Sequence, residues 1–303
     1  MELTKKELKI FKTIVQTNPE TIKETSKQTN TPLTYTSTTL NNLQEKGMIN
    51  LQRHGNTKKP TVADTTHAET LRTLILEQPS YDLEFLANRG TTILATIQCQ
   101  NLETLEEITE ASGASYRTLW QYMDKVRGRG IIQKKNAYRI GTLHPRIQAF
   151  VEAYTGYTNL RKAKQHAPDA VIKWSCPKEY IFETEAKLNL QATGASAFHE
   201  YGALFYTTKN LYTSKKEKQS LEDHLINHIL SEGTRNTLPL LITWRLNMDK
   251  IDTHLLKNKA RRLKTLETIE DIQTYLETEG KQRASYLLNW NEFTAKYRDY
   301  SDE

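Results

Sequence analysis

Two stretches of the sequence place hydrogen-bonding side chains at helical spacing: YTSTTLNNLQEKGMI at residues 35–49 and TLWQYMDKVRGRGII at residues 118–132. If each forms a helix that buries its apolar stripe, hydroxyl, amide and guanidinium groups remain outside. Such groups pair with base edges in the DNA major groove, where Arg suits guanine and Gln suits adenine. The side chains predicted to face outward are Thr34, Thr38 and Asn41, flanked by Tyr35, Ser37 and Asn42, in the first helix, and Arg117 and Gln121, flanked by Trp120 and Lys125, in the second.

Cations follow each helix in a segment predicted to form a two-stranded ribbon. Between Arg117 and Arg139 the sequence has seven Lys or Arg and one acid, Asp124. The carboxylate of Asp124 would accept a hydrogen bond from cytosine or repel a phosphate, so it is left out of the predicted site. A basic ribbon beside a groove-reading helix neutralises phosphates and sets the register without reading sequence itself. The predicted phosphate-binding residues are Arg53, His54, Lys58 and Lys59 in the first stretch and Arg127, Arg129, Lys134, Lys135 and Arg139 in the second.

The two stretches are related by a constant offset of 83 residues, which aligns Gly47 with Gly130 and Leu43 with Val126. The same offset holds upstream, where Thr21 falls on Thr104. In each stretch the pattern predicts three helices, the last ending at the aligned glycine, and then a ribbon. This is the order of a winged helix-turn-helix, so the sequence predicts two such domains in tandem. The predicted helices lie at residues 3–17, 20–29 and 33–46 and at residues 85–97, 102–113 and 115–130, with a further linking helix at 66–79.

Bulk properties limit the class of protein. The chain has 303 residues, a formal net charge of +6 and a mean hydropathy of -0.68. It contains no uncharged apolar run long enough to cross a membrane, and its first residues predict an amphipathic helix instead of a secretory signal. Two cysteines, Cys99 and Cys176, offer no disulfide framework and fit a reducing compartment. We therefore expect a cytoplasmic protein without a membrane partner.

Beyond Pro145 the pattern changes to a mixture of helices and strands. Strands are predicted at residues 170–175, 179–184, 204–213 and 238–246, and a helix at 189–202. The last fifty residues return to helices. The predicted fold is multidomain α+β, with a first winged helix at 1–66, a linking helix at 67–82, a second winged helix at 83–143 and a mixed α/β domain with a helical tail at 144–303.

Two segments resemble known families. TIKETSKQTNTPLTYTSTTLNNLQEKGMI (21–49) resembles the helix-turn-helix core of MarR-like and related winged-helix transcriptional regulators, over about the first 145 residues counting both copies. ATGASAFHEYGALFYTTKNLYT (192–213) is similar to the C-terminal domain of abortive-infection antitoxins and of archaeal regulators, a nucleotidyltransferase-like fold. The matching residues are Gly194, Ser196, Ala197, Tyr201 and Gly202.

The first resemblance implies DNA binding but no particular operator or effector. The second implies a scaffold, because residues 204–213 lack the Asp-x-Asp or Asp-x-Glu pair that would hold Mg²⁺ for nucleotidyl transfer.

Other candidate sites are weaker. His224 and His228 have a spacing that can hold zinc on one helix face, but spacing identifies no third ligand. Ser196 lacks a Gly-x-Ser-x-Gly elbow, which argues against a hydrolase. We therefore predict no metal, no cofactor and no enzymatic activity.

The sequence is interpreted as that of a sequence-specific transcriptional regulator that binds double-stranded DNA and represses by occluding a promoter. Its C-terminal domain is expected to serve dimerisation, partner binding or effector sensing. Three alternatives remain open: an antitoxin that represses its own operon and binds a toxin, a replication initiator with tandem winged helices, and a nucleotidyltransferase.

Overall fold

A computed structural model describes residues 2–55 and 57–301. The chain divides into two compact units, Met1–Thr158 and Asn159–Glu303. The first unit contains helices, two ribbons and one short 3-10 helix, and its last helix continues past Thr158. In chain order its elements are α1 (Lys5–Thr17), α2 (Ile22–Thr29), α3 (Leu33–Glu45), β1 (Ile49–His54), β2 (Thr57–Val62), α4 (Thr66–Glu77), the 3-10 helix Glu84–Leu86, α5 (Arg89–Cys99), α6 (Leu105–Ser112), α7 (Tyr116–Arg127), β3 (Ile132–Lys134), β4 (Tyr138–Ile140) and α8 (Pro145–Ala163).

Residues 5–62 are called the first copy below, and residues 89–140 the second copy. Each copy has three helices followed by an antiparallel ribbon, β1 with β2 and β3 with β4. The offset of 83 residues read from the sequence carries the bounds of α2 onto those of α6 and the first residues of α3 and β1 onto those of α7 and β3.

Matching caps explain why the helices of the two copies begin at equivalent positions. Thr21 accepts a hydrogen bond from the backbone N–H of Glu24 at the start of α2, and Thr104 accepts one from Glu107 at the start of α6. A side-chain oxygen in this position satisfies a backbone donor that has no partner within the helix. The aligned threonines therefore fix both helix starts.

The third helices also end in the same way. Gly47 has φ 65 and Gly130 has φ 67, the left-handed conformation that favours glycine. After α3 the N–H of Met48 donates to Leu43 O at 2.9 Å, and after α7 that of Ile131 donates to Val126 O at 3.2 Å. These are the hydrogen bonds of a Schellman cap, in which an apolar residue follows the glycine and packs back on the helix. The repeated motif of a cation, a glycine and two apolar residues thus ends a helix and returns the chain to the core.

One hydrophobic core runs through both copies, α4 and the first part of α8. Aligned positions of the two third helices are buried in it, with Leu40 matching Met123 and Leu43 matching Val126. The inward faces predicted from helical spacing are therefore confirmed.

The start of the second copy differs from the prediction. A single helix was expected at residues 85–97, whereas a 3-10 helix ends at Leu86 and α5 begins only at Arg89. Asn88 lies between them with φ 53, which interrupts the helix. The chain also turns tightly here, since a Cβ on Gly90 would lie 1.9 Å from Phe85 O. Helical spacing of apolar residues does not reveal such a break.

The second unit is built around a three-stranded antiparallel sheet in the order β5, β6, β7. Its helices pack in a separate core. The elements are β5 (Val171–Ser175), β6 (Tyr180–Thr184), the 3-10 helices Gly194–Ser196 and Phe198–Tyr201, β7 (Asn210–Thr213), α9 (Leu221–Glu232), α10 (Leu238–Leu246), α11 (Thr253–Arg262), α12 (Leu266–Glu277) and α13 (Trp290–Ser301).

Two predictions for this unit are wrong, and a third is only partly right, because the strand predicted at 204–213 is limited to β7, Asn210–Thr213. Residues 238–246 form α10 instead of a strand; Pro239 in the first turn is compatible with a helix start, and a short apolar run does not by itself distinguish a buried helix from a buried strand. The helix predicted at 189–202 is replaced by the two 3-10 helices, because Gly194 and Gly202 adopt left-handed φ values of 53 and 80. The predicted strands at 170–175 and 179–184 are confirmed.

The compact units divide after Thr158, whereas the sequence placed its last boundary after residue 143, so the four-part division stays a prediction. Neither Cys99 nor Cys176 is a free thiol, which differs from the reduced pair expected. No helix in the described part of the chain is long and apolar enough to cross a membrane.

Candidate nucleic-acid interface

The outward face of α3 carries the short polar side chains predicted for it. Thr36, at the centre of the buried stripe, is fully buried. Ser37 is half-buried, and the Thr38 hydroxyl donates to Thr34 O at 3.1 Å, a bond that leaves its lone pairs toward solvent. The exposed members of the predicted set are Thr34, Tyr35, Thr38, Asn41 and Asn42.

The outward face of α7 carries larger side chains than that of α3, with more hydrogen-bonding groups. Trp120 is 57% exposed although tryptophan is among the most apolar residues, and Arg117 and Gln121 are exposed beside it. The opposite face buries Leu119 and Met123 in the core. An exposed helix face that combines a guanidinium, an amide and an indole can hydrogen bond to base edges and contact a thymine methyl group.

The ribbon of the second copy is fastened to α7. Arg127 donates to the Tyr138 hydroxyl at 3.0 Å, and the Lys134 ammonium lies 5.0 Å from the centre of the Tyr138 ring. Lys135 and Arg139 are exposed on the same ribbon. The hydrogen bond from Arg127 joins α7 to the ribbon, whereas the contact of Lys134 with Tyr138 lies within the ribbon.

The cations of the first copy's ribbon differ in their contacts, and Arg53 Nε donates to Gly55 O at 3.3 Å. Arg53 and Lys58 are exposed. Lys59 forms an ion pair with Glu20 at 2.6 Å, so a phosphate would have to compete with that carboxylate. The side chain of His54 lies outside the described residues.

Arg129 has a structural contact that sequence spacing did not reveal. Its guanidinium bonds Asp82 Oδ2 at 2.9 Å, in the segment that leads into the second copy. The backbone N–H of Glu84 and, to a smaller extent, Arg129 lower the pKa of Asp82. The aligned Lys46 makes different contacts: it donates to Glu2 O at 2.7 Å and pairs with Glu7 of α1 at 2.6 Å. Each cation therefore ties the end of a third helix to a segment at or before the first helix of its copy, and a role for Arg129 on DNA stays a prediction.

Two further cations lie beside the outward faces and were missed. The Lys6 ammonium lies 4.4 Å from the centre of the Tyr35 ring, and Arg89 lines a cleft together with Thr118 of α7. Lys6 and Arg89 are 83 residues apart, as are Tyr35 and Thr118. Extending the repeat offset to the first helix would have identified them.

The two histidines of α9 are parts of the core. His224 Nδ1 lies 3.4 Å from Thr193 Oγ1, and His228 Nε2 lies 2.7 Å from Asn236 O. Burial lowers the pKa of both, which keeps them neutral near pH 7. Among residues 2–55 and 57–301 no three His, Cys, Asp or Glu side chains are grouped so that they could hold a metal ion.

Comparison with known proteins supports the reading of the N-terminus. A family model described as sugar-specific transcriptional regulator TrmB matches residues 1–66. TrmB is a winged helix-turn-helix family of DNA-binding transcriptional regulators, so the match agrees with the resemblance to winged-helix regulators although the family is not the MarR-like one. No curated protein and no solved structure matches the chain. The first copy is therefore a winged-helix domain of the type found in transcription regulators.

Replacing Lys134 and Lys135 together by alanine is expected to weaken binding to every duplex alike and to flatten its salt dependence. Each phosphate contact contributes about 0.9 to the slope of log K against log salt, so the slope should fall by up to about two. Titrations of selected and scrambled duplexes at several salt concentrations measure this. Lys164→Ala with Lys187→Ala, which removes the same charge from exposed positions of the second unit, is the matched control. A loss confined to the selected duplex would mean that the ribbon reads bases.

Proposed function

We propose that this protein is a sequence-specific DNA-binding transcriptional regulator with two winged-helix domains in tandem, and that it represses by occluding a promoter. The α3 and α7 helices enter neighbouring major grooves, and the basic ribbons contact phosphates. The family match at residues 1–66 supports the first domain. The second domain is supported by its resemblance to the first.

The observation that carries the proposal is the agreement of the two copies at a single offset. Equivalent threonines cap α2 and α6, equivalent glycines end α3 and α7, and equivalent residues are buried. Similar helices in an unrelated arrangement would not keep one offset through caps, core and ribbon start. A fold alone does not fix a function, so the exposed hydrogen-bonding groups on both third helices are the second support.

The two copies are joined through a short interface that limits their separation. Asn88 N–H donates to Leu3 O at 2.6 Å, and Arg89 pairs with Glu2 at 3.2 Å. In each copy, the residues of this interface lie at the start of that copy's first helix or just before it. Because the copies also share one core, their third helices address DNA at a fixed spacing. Coupled binding of this kind adds affinity through effective concentration.

The second unit is proposed to serve dimerisation, partner binding or effector sensing. A homodimer and a protein partner such as a toxin both fit this role. The regulator would act in the cytoplasm on double-stranded DNA.

Selection of bound sites from a random duplex library, with the full chain at a stated salt concentration, tests the proposal. We expect two conserved blocks whose centres are about 10 base pairs, one helical turn, apart. Inserting about 5 base pairs between them turns one block to the opposite face of the duplex, so affinity should fall to that of a single block. A single block would refute reading by both domains. Absence of enrichment would refute sequence-specific binding altogether.

A further inference from the structure

The first unit contains two solvent-open clefts of about 510 Å³ each. The first lies along α1, beside the turn between α2 and α3. The second lies along α7 and includes Gln121 and Trp120 of its outward face. Lys5 and Glu84 line both clefts, so the two adjoin at this pair.

Cations outnumber acids around these clefts. The linings include six Lys or Arg against three Asp or Glu. Two of the cations are held by backbone oxygens, since Lys9 donates to Thr29 O and Lys12 donates to Tyr81 O. The cations that line the clefts are Lys5, Lys6, Lys9, Lys12, Arg89 and Lys125.

Three of them form what we call the bridging band: Lys6, Lys5 and Arg89. Lys6 lies beside Tyr35 of α3, Arg89 shares a cleft with Thr118 of α7, and Lys5 lines both clefts. All three are exposed. The band therefore runs from one outward face to the other.

The partners of the bridging band within the protein are weak. Lys5 pairs with Glu84, and Arg89 pairs with Glu2, and all four side chains are about half exposed. Ion pairs at such exposure are screened by water and salt. A phosphate oxygen offers a stronger, charge-assisted hydrogen bond, to which a guanidinium donates two N–H groups. The cations can exchange their carboxylates for phosphates.

We propose that the bridging band binds the sugar-phosphate backbone of the DNA segment that lies between the two grooves read by α3 and α7. This proposal rests on the proposed function, because a duplex lying across both third helices must pass over the residues between them. Lys6 and Arg89 occupy equivalent positions of the repeat, so each copy contributes one phosphate contact next to its own third helix. Lys5 adds a third at the junction.

The test uses a double variant of the full-length chain, Lys6→Ala together with Arg89→Ala, which we call the band variant. It is compared with a matched control. The control is Arg72→Ala with Arg146→Ala, two exposed arginines that pair with Glu69 and Glu77 and line neither cleft. Both double variants lose two positive charges. Binding to the selected duplex and to a scrambled duplex is measured from about 0.05 to 0.3 M salt, a range in which phosphate contacts dominate the salt dependence.

For the band variant we expect the slope of log K against log salt to be smaller by about two on both duplexes. Its affinity at about 0.1 M salt should be lower by a factor of several tens. The control should retain the wild-type slope. The double variant Lys6→Arg with Arg89→Lys keeps both charges, so it should show the wild-type salt slope. If the two residues served only the fold, retaining their charge would not be expected to restore the slope. Ethylation of single phosphates between the two blocks should interfere with binding of the wild type and not of the band variant.

The outcomes separate this proposal from the proposed function. If the wild type selects two blocks and the band variant keeps the control's slope, the bridging band is refuted while sequence-specific binding stands. If the wild type shows no preference for any sequence, the proposed function fails first. Circular dichroism of both variants shows whether an altered slope comes from lost folding.

Discussion

Arg117→Ala combined with Gln121→Ala is expected to abolish most of the sequence discrimination contributed by α7 while leaving affinity for scrambled DNA almost unchanged. Each bidentate contact with the correct base contributes about 1–3 kcal/mol of discrimination. The pair therefore contributes roughly 2–6 kcal/mol, between about 30-fold and about 10⁴-fold. Dissociation constants for the selected and scrambled duplexes at one salt concentration give the ratio directly.

The repeat supplies the matched variant for this experiment. Thr34 and Thr38 occupy the positions equivalent to Arg117 and Gln121 in the first copy. Thr34→Ala with Thr38→Ala should relax the block read by α3, by a smaller factor, because a hydroxyl makes fewer hydrogen bonds with a base pair than a guanidinium or an amide. Each variant should relax its own block and leave the other intact. Equal weakening of both duplexes by the α7 variant would show that its outward face touches backbone instead of bases.

The helices of the first unit could be predicted because their sequence carries both periodicity and caps. Thr21 and Thr104 mark helix starts, Gly47 and Gly130 mark helix ends, and the apolar residues between them have one helical face. These are local signals, and they are repeated. Where a local signal was missing, as at Asn88, the predicted helix began too early.

Contacts between distant segments could not be predicted in this way. The pairing of Arg129 with Asp82 joins residues 47 positions apart, and the sequence gives no period that links them. Nothing in the sequence places Lys6 of α1 beside Tyr35, a contact that the structure shows. The repeat offset aligns Lys6 with Arg89, but only the structure shows that the two copies meet at the start of their first helices.

The two glycines that end the third helices differ in their surroundings, although their backbones are alike. A Cβ on Gly47 would lie 2.4 Å from the Tyr157 hydroxyl oxygen and 2.5 Å from Tyr157 Cζ, on α8. The nearest atom to a Cβ on Gly130 would be His144 Nε2 at 4.0 Å. The centre of the Tyr157 ring also lies 4.4 Å from the centre of the His67 ring, so moving Tyr157 away would disturb a second contact. The first glycine is therefore required for its conformation and its size, the second for its conformation alone.

We expect Gly130→Ala to cost roughly 1–2 kcal/mol, the penalty for an L-residue in the left-handed region, and Gly47→Ala to cost about 1–3 kcal/mol more because of the overlap with Tyr157. Urea unfolding of the full chain measures both, and amide exchange at residues 43–48 and 126–131 localises the effects. In a Tyr157→Ala background, Gly47→Ala should cost no more than Gly130→Ala, since the overlapping ring is gone. Equal costs in the wild-type background, or an excess that persists without the ring, would show that α8 does not pack against the end of α3 as described.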